Sequence, residues 1–132
     1  MKCIASGAAS AILLTGCLNV PPEPIAQIPA PVCTTQAQCD SMWAAAQQWV
    51  SRVSRMQVAQ VSPDAIVTYP RVESDRTTMT GTVVKRPLQD GKYEFSARFE
   101  CWDPQSSCAR LEQSGVSLFN TMVTAAGEGP GG

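Results

Sequence analysis

The most informative absence in this chain of 132 residues is histidine, of which it has none. Without an imidazole the chain cannot build a Ser-His or Cys-His nucleophile pair. Lys85 and Lys92 do not lie in an S-x-x-K arrangement, and neither a C-x-x-C pair nor a phosphate-binding glycine loop occurs. The common catalytic motifs are therefore missing, and we expect a protein that is not an enzyme.

Two further shortages concern positive charge and long apolar runs. Ten basic residues stand against eleven acidic ones, a formal net charge of −1, so the basic surplus usual in nucleic-acid-binding proteins is absent. After the first residues, no apolar run approaches the roughly 20 residues that a membrane-spanning helix needs. The sequence favours neither nucleic acid nor a membrane-spanning helix, and no motif points to a cofactor or a metal ion.

The first sixteen residues have the order of an export signal. Lys2 provides a positive charge, and the apolar stretch from Ile4 to Leu14 is too short to span a bilayer. Leu14 also begins the four residues Leu14-Thr15-Gly16-Cys17, which resemble a lipobox, the cleavage site of bacterial lipoproteins. The resemblance covers only this region. It implies cleavage before Cys17, a diacylglycerol on its sulfur and acylation of the new amino terminus; an ordinary secretory signal is the alternative.

After the predicted signal peptide (residues 1–16), the chain divides into a tether, one domain and a tail. Residues 17–32 hold the lipidated Cys17 and a proline-rich stretch, which we expect to be an extended spacer. Residues 33–126 form a small domain, and residues 127–132 form a flexible glycine-rich tail. In lipoproteins an aspartate after the cysteine tends to retain the protein at the inner membrane. Leu18 therefore favours the outer membrane, facing the periplasm, while the inner membrane stays open.

Four cysteines remain for the domain: Cys33, Cys39, Cys101 and Cys108. Disulfides are the default in an oxidising compartment, and four cysteines allow three pairings. Short sequence separation favours Cys33–Cys39 and Cys101–Cys108, with about 2–2.5 kcal/mol for each closure in the chain-entropy model. A crossed pairing is the alternative. Zinc is disfavoured because the spacings are wide and histidine is absent.

The apolar pattern predicts an α+β domain in which a long N-terminal helix packs on a three-stranded antiparallel sheet. Thr35 and Gln38 match a capping box at the start of a helix predicted over residues 36–56. The apolar residues that recur with helical spacing, and that we expect to form its buried row, are Met42, Ala46, Trp49, Val53 and Met56. We expect this helix to be the longer one, because Gly115 interrupts the later helical pattern and leaves a short helix over 116–125.

Three segments have the composition of strands, and together they predict the sheet. The clearest one, residues 92–101, alternates strictly between apolar and polar side chains, as expected for a strand with one buried face and one solvated face. The other two are short and rich in β-branched residues. They cover residues 65–69 and 81–86.

The remaining candidate site residues are aromatic or acidic. Trp102 lies in a turn between two cysteines, where it could contact a partner or pack against the disulfide. Trp43 and Trp49 lie on or near the apolar side of the predicted helix, which favours a place in the core. Paired carboxylates could perform acid–base chemistry, but nearby basic residues favour solvated charge pairs instead. The acidic pairs are Glu73 with Asp75 and Glu94 with Glu100.

Taken together, these observations predict a membrane-tethered periplasmic lipoprotein that acts as a non-enzymatic interaction module, for example as an accessory subunit of an envelope complex. Its membrane contact is the lipid on Cys17, and its partner is a protein of the envelope. A periplasmic inhibitor or immunity-type lipoprotein that blocks a hydrolase is the first alternative, by analogy of class. A carboxylate-dependent cell-wall enzyme is the second.

Replacing Cys17 tests the anchor. We expect the wild-type chain to incorporate a radioactive fatty acid and to sediment with membranes, since several acyl chains at about 0.8 kcal/mol per buried methylene hold a protein firmly. Cys17→Ser should lose both properties because serine offers no sulfur for the thioether. Cys3→Ser, in the segment that is removed, is the matched control and should keep both. A Cys17→Ser protein that still carries label would contradict the lipobox assignment.

Overall fold

Five antiparallel strands and two helices make up residues 27–103 and 107–129, the part of the chain that the computed structural model describes. The strand order is β1-β5-β4-β3-β2, and both helices pack on one face of the sheet. The α+β class is confirmed, whereas Cys17 and the signal peptide lie outside the described residues. In chain order the elements are β1 Val32–Cys33, α1 Gln36–Ser54, β2 Val58–Val61, β3 Ala65–Thr68, β4 Thr80–Pro87, β5 Tyr93–Glu100 and α2 Ser107–Glu128.

Helix α1 begins at the predicted cap. Thr35 has an extended backbone (φ −122°, ψ 158°), and its hydroxyl accepts the N–H of Gln38 at 3.1 Å. The Gln38 side chain turns back to the N–H of Thr34 at 2.7 Å instead of that of the capping residue. The helix ends at Ser54 because Arg55 adopts a left-handed conformation with φ 60°. The predicted end at residue 56 was therefore two residues too late.

The buried side of α1 is centred on a slightly different row of residues from the predicted one. Met42, Ala46 and Val50 are buried under the sheet, whereas Trp49 and Val53 are half-buried beside them. The sheet can approach this helix closely because Gly81 of β4 faces Val50 and has no side chain to separate them. The predicted helix and its spacing are correct, but the buried row is displaced towards Val50 in the second half.

Strand β5 provides the largest share of the covered face of the sheet. Phe95 and Phe99 are buried beneath the helices, whereas Arg98 and Glu100 are exposed on the other face. This alternation confirms the strand predicted over residues 92–101. β5 pairs with β4 in an antiparallel register along its whole length.

The two edge strands were not predicted, so the three-stranded sheet is corrected to five strands. β1, whose first residue Val32 is the last of the segment predicted as tether, pairs with the beginning of β5, and β2 pairs with β3 across a bulge. Strands of two and four residues are too short to display a convincing alternation, and β2 is largely exposed. Pro31, just before β1, and Gly127, near the end of α2, are both buried against the rest of the fold.

Helix α2 is the longer of the two helices, which corrects the predicted short helix over 116–125. It runs without a break for 22 residues, against 19 for α1. Gly115 does not interrupt it: the glycine faces α1, where a Cβ atom would lie 2.8 Å from Cγ1 of Val53. The close approach of the two helices therefore explains why a residue without a side chain occupies position 115. Across the described residues, neither helix combines the length and the apolar character needed to cross a membrane.

Substitution of Gly115 by valine should destabilise the fold, because the new side chain overlaps Val53. We expect the free energy of unfolding in urea to fall by about 1–3 kcal/mol, the usual cost of overpacking. Valine forms helix better than glycine, so helix propensity opposes this loss. Ser114→Val is the matched control at an exposed neighbouring position and should change stability by less than about 0.5 kcal/mol. Equal effects of the two substitutions would contradict the packing role of Gly115.

Candidate functional site

Both disulfides predicted from local separation are present. Cys33–Cys39 joins β1 to the first turn of α1, with Cα atoms 5.0 Å apart. Cys101–Cys108 joins the residue after β5 to the start of α2, with Cα atoms 6.1 Å apart. The local pairing is confirmed, and each bridge fixes how a helix meets the β1–β5 side of the sheet.

Glu112 of α2 lies beside the second disulfide. Its Oε1 accepts the N–H of Cys101 at 3.0 Å, and the carboxylate, Cys101 and Cys108 place their potential ligand atoms within 4.8 Å of one another. Because the two sulfurs share a disulfide bond, neither can serve as a thiolate ligand for a metal. The arrangement instead positions the backbone at the end of β5.

The tryptophans lie at the border of the core. Trp43 is half-buried with its ring 5.5 Å from that of Phe95, and Trp49 packs against the core in the same way. Trp102 is also half-buried, and the guanidinium of Arg76 lies 5.8 Å from its ring centroid. A partner contact by Trp102 stays a prediction.

Of the acidic pair in the loop between β3 and β4, Asp75 is part of the loop's own hydrogen bonding. The hydroxyl of Thr77 donates to Asp75 at 2.7 Å and its N–H donates at 2.9 Å, and these bonds hold the pKa of Asp75 below its usual value. Glu73 is exposed in the same loop. A carboxylate that is stabilised as the anion is a poor general acid.

The acidic residues of β5 are paired with arginines on the open face of the sheet. Glu94 contacts Arg86 of the neighbouring strand at 2.9 Å, and Glu100 contacts Arg98 at 3.3 Å. At about 3.3 Å per residue, the two glutamates are separated by roughly 20 Å along the strand. That separation exceeds the roughly 5–9.5 Å over which two carboxylates act together on a glycosidic bond.

A groove of about 960 Å³ lies between the edge of β5, helix α2 and the segment that leads into β1. This volume is at the upper end of the range of about 300–1,000 Å³ typical of ligand sites. We call it the β5 groove and define it by its lining: residues 27–30, residues 97–101, and Glu112, Gln113, Val116, Ser117 and Asn120 of α2.

One side of the β5 groove is an unpaired strand edge. The N–H of Phe95 donates away from β4 to the carbonyl of Pro31 at 2.9 Å, and the N–H of Cys101 donates away from β4 to Glu112. Ala97 and Phe99 share this orientation because backbone groups alternate sides along a strand. Within residues 27–103 and 107–129, the N–H groups of Ala97 and Phe99 have no hydrogen-bond acceptor.

Two prolines explain why β1 does not continue along this edge. The β1–β5 register pairs Val32 with Glu94, so continuation would place Pro31 opposite Phe95 and Pro29 opposite Ala97. These are the positions at which a pairing strand donates its N–H, and proline has none. The paired edge therefore ends near Phe95, and the backbone beyond it faces the groove.

Asn120 of α2 contributes a second unsatisfied group to the groove. Its side chain is only 3% exposed, and its Nδ2 donates to the carbonyl of Ile28 at 2.9 Å. Its Oδ1 is buried and has no hydrogen-bond donor among the described residues. Most buried polar atoms in folded proteins have a partner, and leaving one unpaired costs about 1–3 kcal/mol. A bound molecule that donates a hydrogen bond would remove this cost.

The chemistry available in the β5 groove is that of a binding site. Among the described residues, it presents backbone N–H and C=O groups, the amide oxygen of Asn120 and the side chains of Gln113 and Ser117. Its two carboxylates are already engaged, Glu100 by Arg98 and Glu112 by the N–H of Cys101. Comparison of the chain with protein-family models, with curated proteins and with solved structures found no match.

The sequence alone did not reveal this site. None of the residues that present its free groups, Ala97, Phe99 and Asn120, was among the candidates, because each is unremarkable in its own segment. One signal was available: Pro29 and Pro31 are two residues apart, and in an edge strand every second residue donates its N–H to the neighbouring strand. That pattern marks the end of an edge strand, but only once its neighbour is known.

Substitution of Asn120 by alanine should loosen the segment that leads into β1. Without Nδ2 the carbonyl of Ile28 loses its donor, a loss of about 0.5–1.5 kcal/mol. We expect the N–H of Phe95, which donates to the carbonyl of Pro31 in this segment, to exchange with solvent about threefold to tenfold faster, as measured by NMR. Thr121→Ala, at the next and exposed position, is the control and should leave this exchange unchanged. Unaltered exchange in Asn120→Ala would show that Asn120 does not hold the segment.

Proposed function

We propose that this chain is a lipid-anchored protein of the bacterial envelope that binds a partner protein through the β5 groove and catalyses no reaction. The observation that carries the proposal is the set of unsatisfied polar groups in that groove. Among the described residues, the backbone groups of Ala97 and Phe99 and the buried Oδ1 of Asn120 have no hydrogen-bond partner. A binding partner is the simplest way to satisfy them together.

The lipobox-like residues before and at Cys17 support a lipid anchor. The disulfides support an oxidising compartment such as the periplasm. Both cysteine pairs of the domain are joined, and disulfides persist in the periplasm and outside the cell but are rare in a reducing cytosol. Leu18 stands where an aspartate would favour retention at the inner membrane, and it therefore supports the outer membrane as the location of the protein. These features agree with a folded domain on the periplasmic side of a membrane.

The sequence between the proposed anchor and the domain supports a spacer that lets the β5 groove reach a partner protein. Residues 18–26 include Pro21, Pro22 and Pro24, which favour extended backbone. At about 3.1 Å per residue, these nine residues could hold the domain up to roughly 28 Å from the membrane. The partner therefore need not be inserted in the same membrane.

The groove also explains why a binding role is preferred over catalysis. Acid–base catalysis needs a titrating group within hydrogen-bond distance of the substrate. In the described part of the groove, Glu100 is paired with Arg98 and Glu112 is bonded to the backbone of Cys101. Glu112 therefore has a structural role at the end of β5, and Glu100 lies in a solvent-exposed ion pair, so neither contact points to an acid–base residue.

Site-specific photo-crosslinking in living cells tests the proposed surface. A photoreactive phenylalanine analogue placed at Gln113, which is exposed at the groove, should form an adduct with one envelope protein. The same residue at Gln48, exposed on α1 outside the groove lining, is the matched control and should form none. The identity of the captured protein separates an envelope-complex subunit from a hydrolase that the chain inhibits.

Two results would contradict the proposal. Equal adducts from Gln113 and Gln48 would show that the groove is not the contact surface. A properly anchored Gln113 variant that forms no adduct, together with a Ser117 variant that also forms none, would show that the groove has no protein partner in the envelope.

A further inference from the structure

We infer that the β5 groove receives an extended segment of the partner polypeptide, which adds to the sheet as a strand beside β5. The inference rests on the proposed function, namely that this groove is the binding surface. Ala97 and Phe99 are the residues whose N–H and C=O groups would form the new ladder. Addition of a strand to an exposed sheet edge is a recurring way in which proteins bind peptides.

The free edge has the extent of a short peptide site. It is bounded at one end by the bond from Phe95 to Pro31 and at the other by the bond from Cys101 to Glu112. The last four residues of β5 and Cys101 after them line the groove, a length of roughly 16 Å at about 3.3 Å per residue. About five residues of the partner would therefore lie against the edge.

Asn120 defines what one side chain of that segment must provide. Side chains of an added strand alternate between the open face of the sheet and the face covered by α2. A side chain on the covered face would approach Asn120, whose Oδ1 is buried and unpaired, and the half-buried Val116. The segment should therefore carry a hydrogen-bond donor there, a serine, threonine, asparagine or glutamine, beside a small apolar residue.

The walls of the groove favour a single extended chain over a second copy of this protein. Helix α2 lines one side of the free edge, and residues 27–30 line the other. A second copy would have to bring its own β5 edge into contact, and that edge is recessed between the same two walls. One extended polypeptide has no such walls and can lie between them.

The chain's own residues 18–26 are a poor occupant of the edge. Pro21, Pro22 and Pro24 cannot donate hydrogen bonds to a strand. Residue 27 already lines the groove, so the nine residues before it would have to turn back at once to run along β5. A partner segment without prolines meets neither obstacle.

Hydrogen exchange tests strand addition on the full chain, purified in detergent micelles. The probes are synthetic heptapeptides selected on the chain from a random displayed library. We expect the N–H groups of Ala97 and Phe99 to exchange rapidly in the free protein and at least about tenfold more slowly with saturating heptapeptide. The N–H of Arg98 faces β4 in the ladder and should be protected in both states.

N-methylation of the heptapeptide gives the sharper result. Methylating one backbone nitrogen at a time should weaken binding at every second position only, where the N–H faces β5. The loss there should be at least about threefold to tenfold, the effect of one hydrogen bond. The intervening positions are built-in controls and should bind within about twofold of the parent.

A substitution in the protein gives an independent measurement. Ala97→Pro removes the N–H that faces the groove, while the ladder with β4 uses the neighbouring residues, so affinity for the heptapeptide should fall at least about threefold to tenfold. Ala97→Ser keeps the N–H and is the matched control. If Ala97→Pro does not fold, the N-methyl series on the wild-type chain decides the question alone.

Several outcomes would overturn strand addition, and they can be told apart from failure of the proposed function. Heptapeptides that bind without alternation in the N-methyl series would refute the ladder. Protected Ala97 and Phe99 in the free protein would show an edge already occupied, by a second copy if the protein sediments as a dimer and by its own chain if it is a monomer. If no heptapeptide is selected, strand addition fails, while the crosslink from Gln113 still tests the binding surface by itself.

Discussion

The backbone of β5 needs hydrogen-bond partners on both sides, and only one side has a neighbour of full length. β4 pairs with every residue of the strand, whereas β1 pairs with only its first residues. Pro29 and Pro31 impose this limit because neither can donate an N–H to β5. The strand that carries Phe95 and Phe99 of the core therefore also has an open edge, and the β5 groove is the consequence of that unequal pairing.

The helices and disulfides keep the open edge in place. Phe95 and Phe99 bury the covered face of β5 under α1 and α2, so the strand cannot rotate its free backbone into the core. Cys101–Cys108 and Glu112 hold the far end of the strand against α2. The edge is consequently rigid before any partner arrives, and a rigid site loses less conformational entropy on binding.

In the proposed function, the lipid anchor and the open strand edge act together. The anchor at Cys17 confines the protein to a membrane surface, and the proline-containing sequence after it spaces the domain from that surface. Backbone pairing gives affinity, and Asn120 adds a requirement for a hydrogen-bond donor. Edge strands of this kind invite unwanted pairing, and here α2 and residues 27–30 restrict access to a single extended chain.

The features that the sequence by itself determined are local. The cap and start of α1, the alternation of β5 and the pairing of cysteines six and seven residues apart follow from capping preference, periodicity and short loop closure. Gly115 was misread as a helix break because its effect depends on Val53, which lies far away in the chain. The groove likewise was decided only by tertiary structure. A free N–H at Ala97 or an unpaired oxygen on Asn120 is defined by the absence of a distant neighbour, and sequence periodicity contains no record of which distant groups come together.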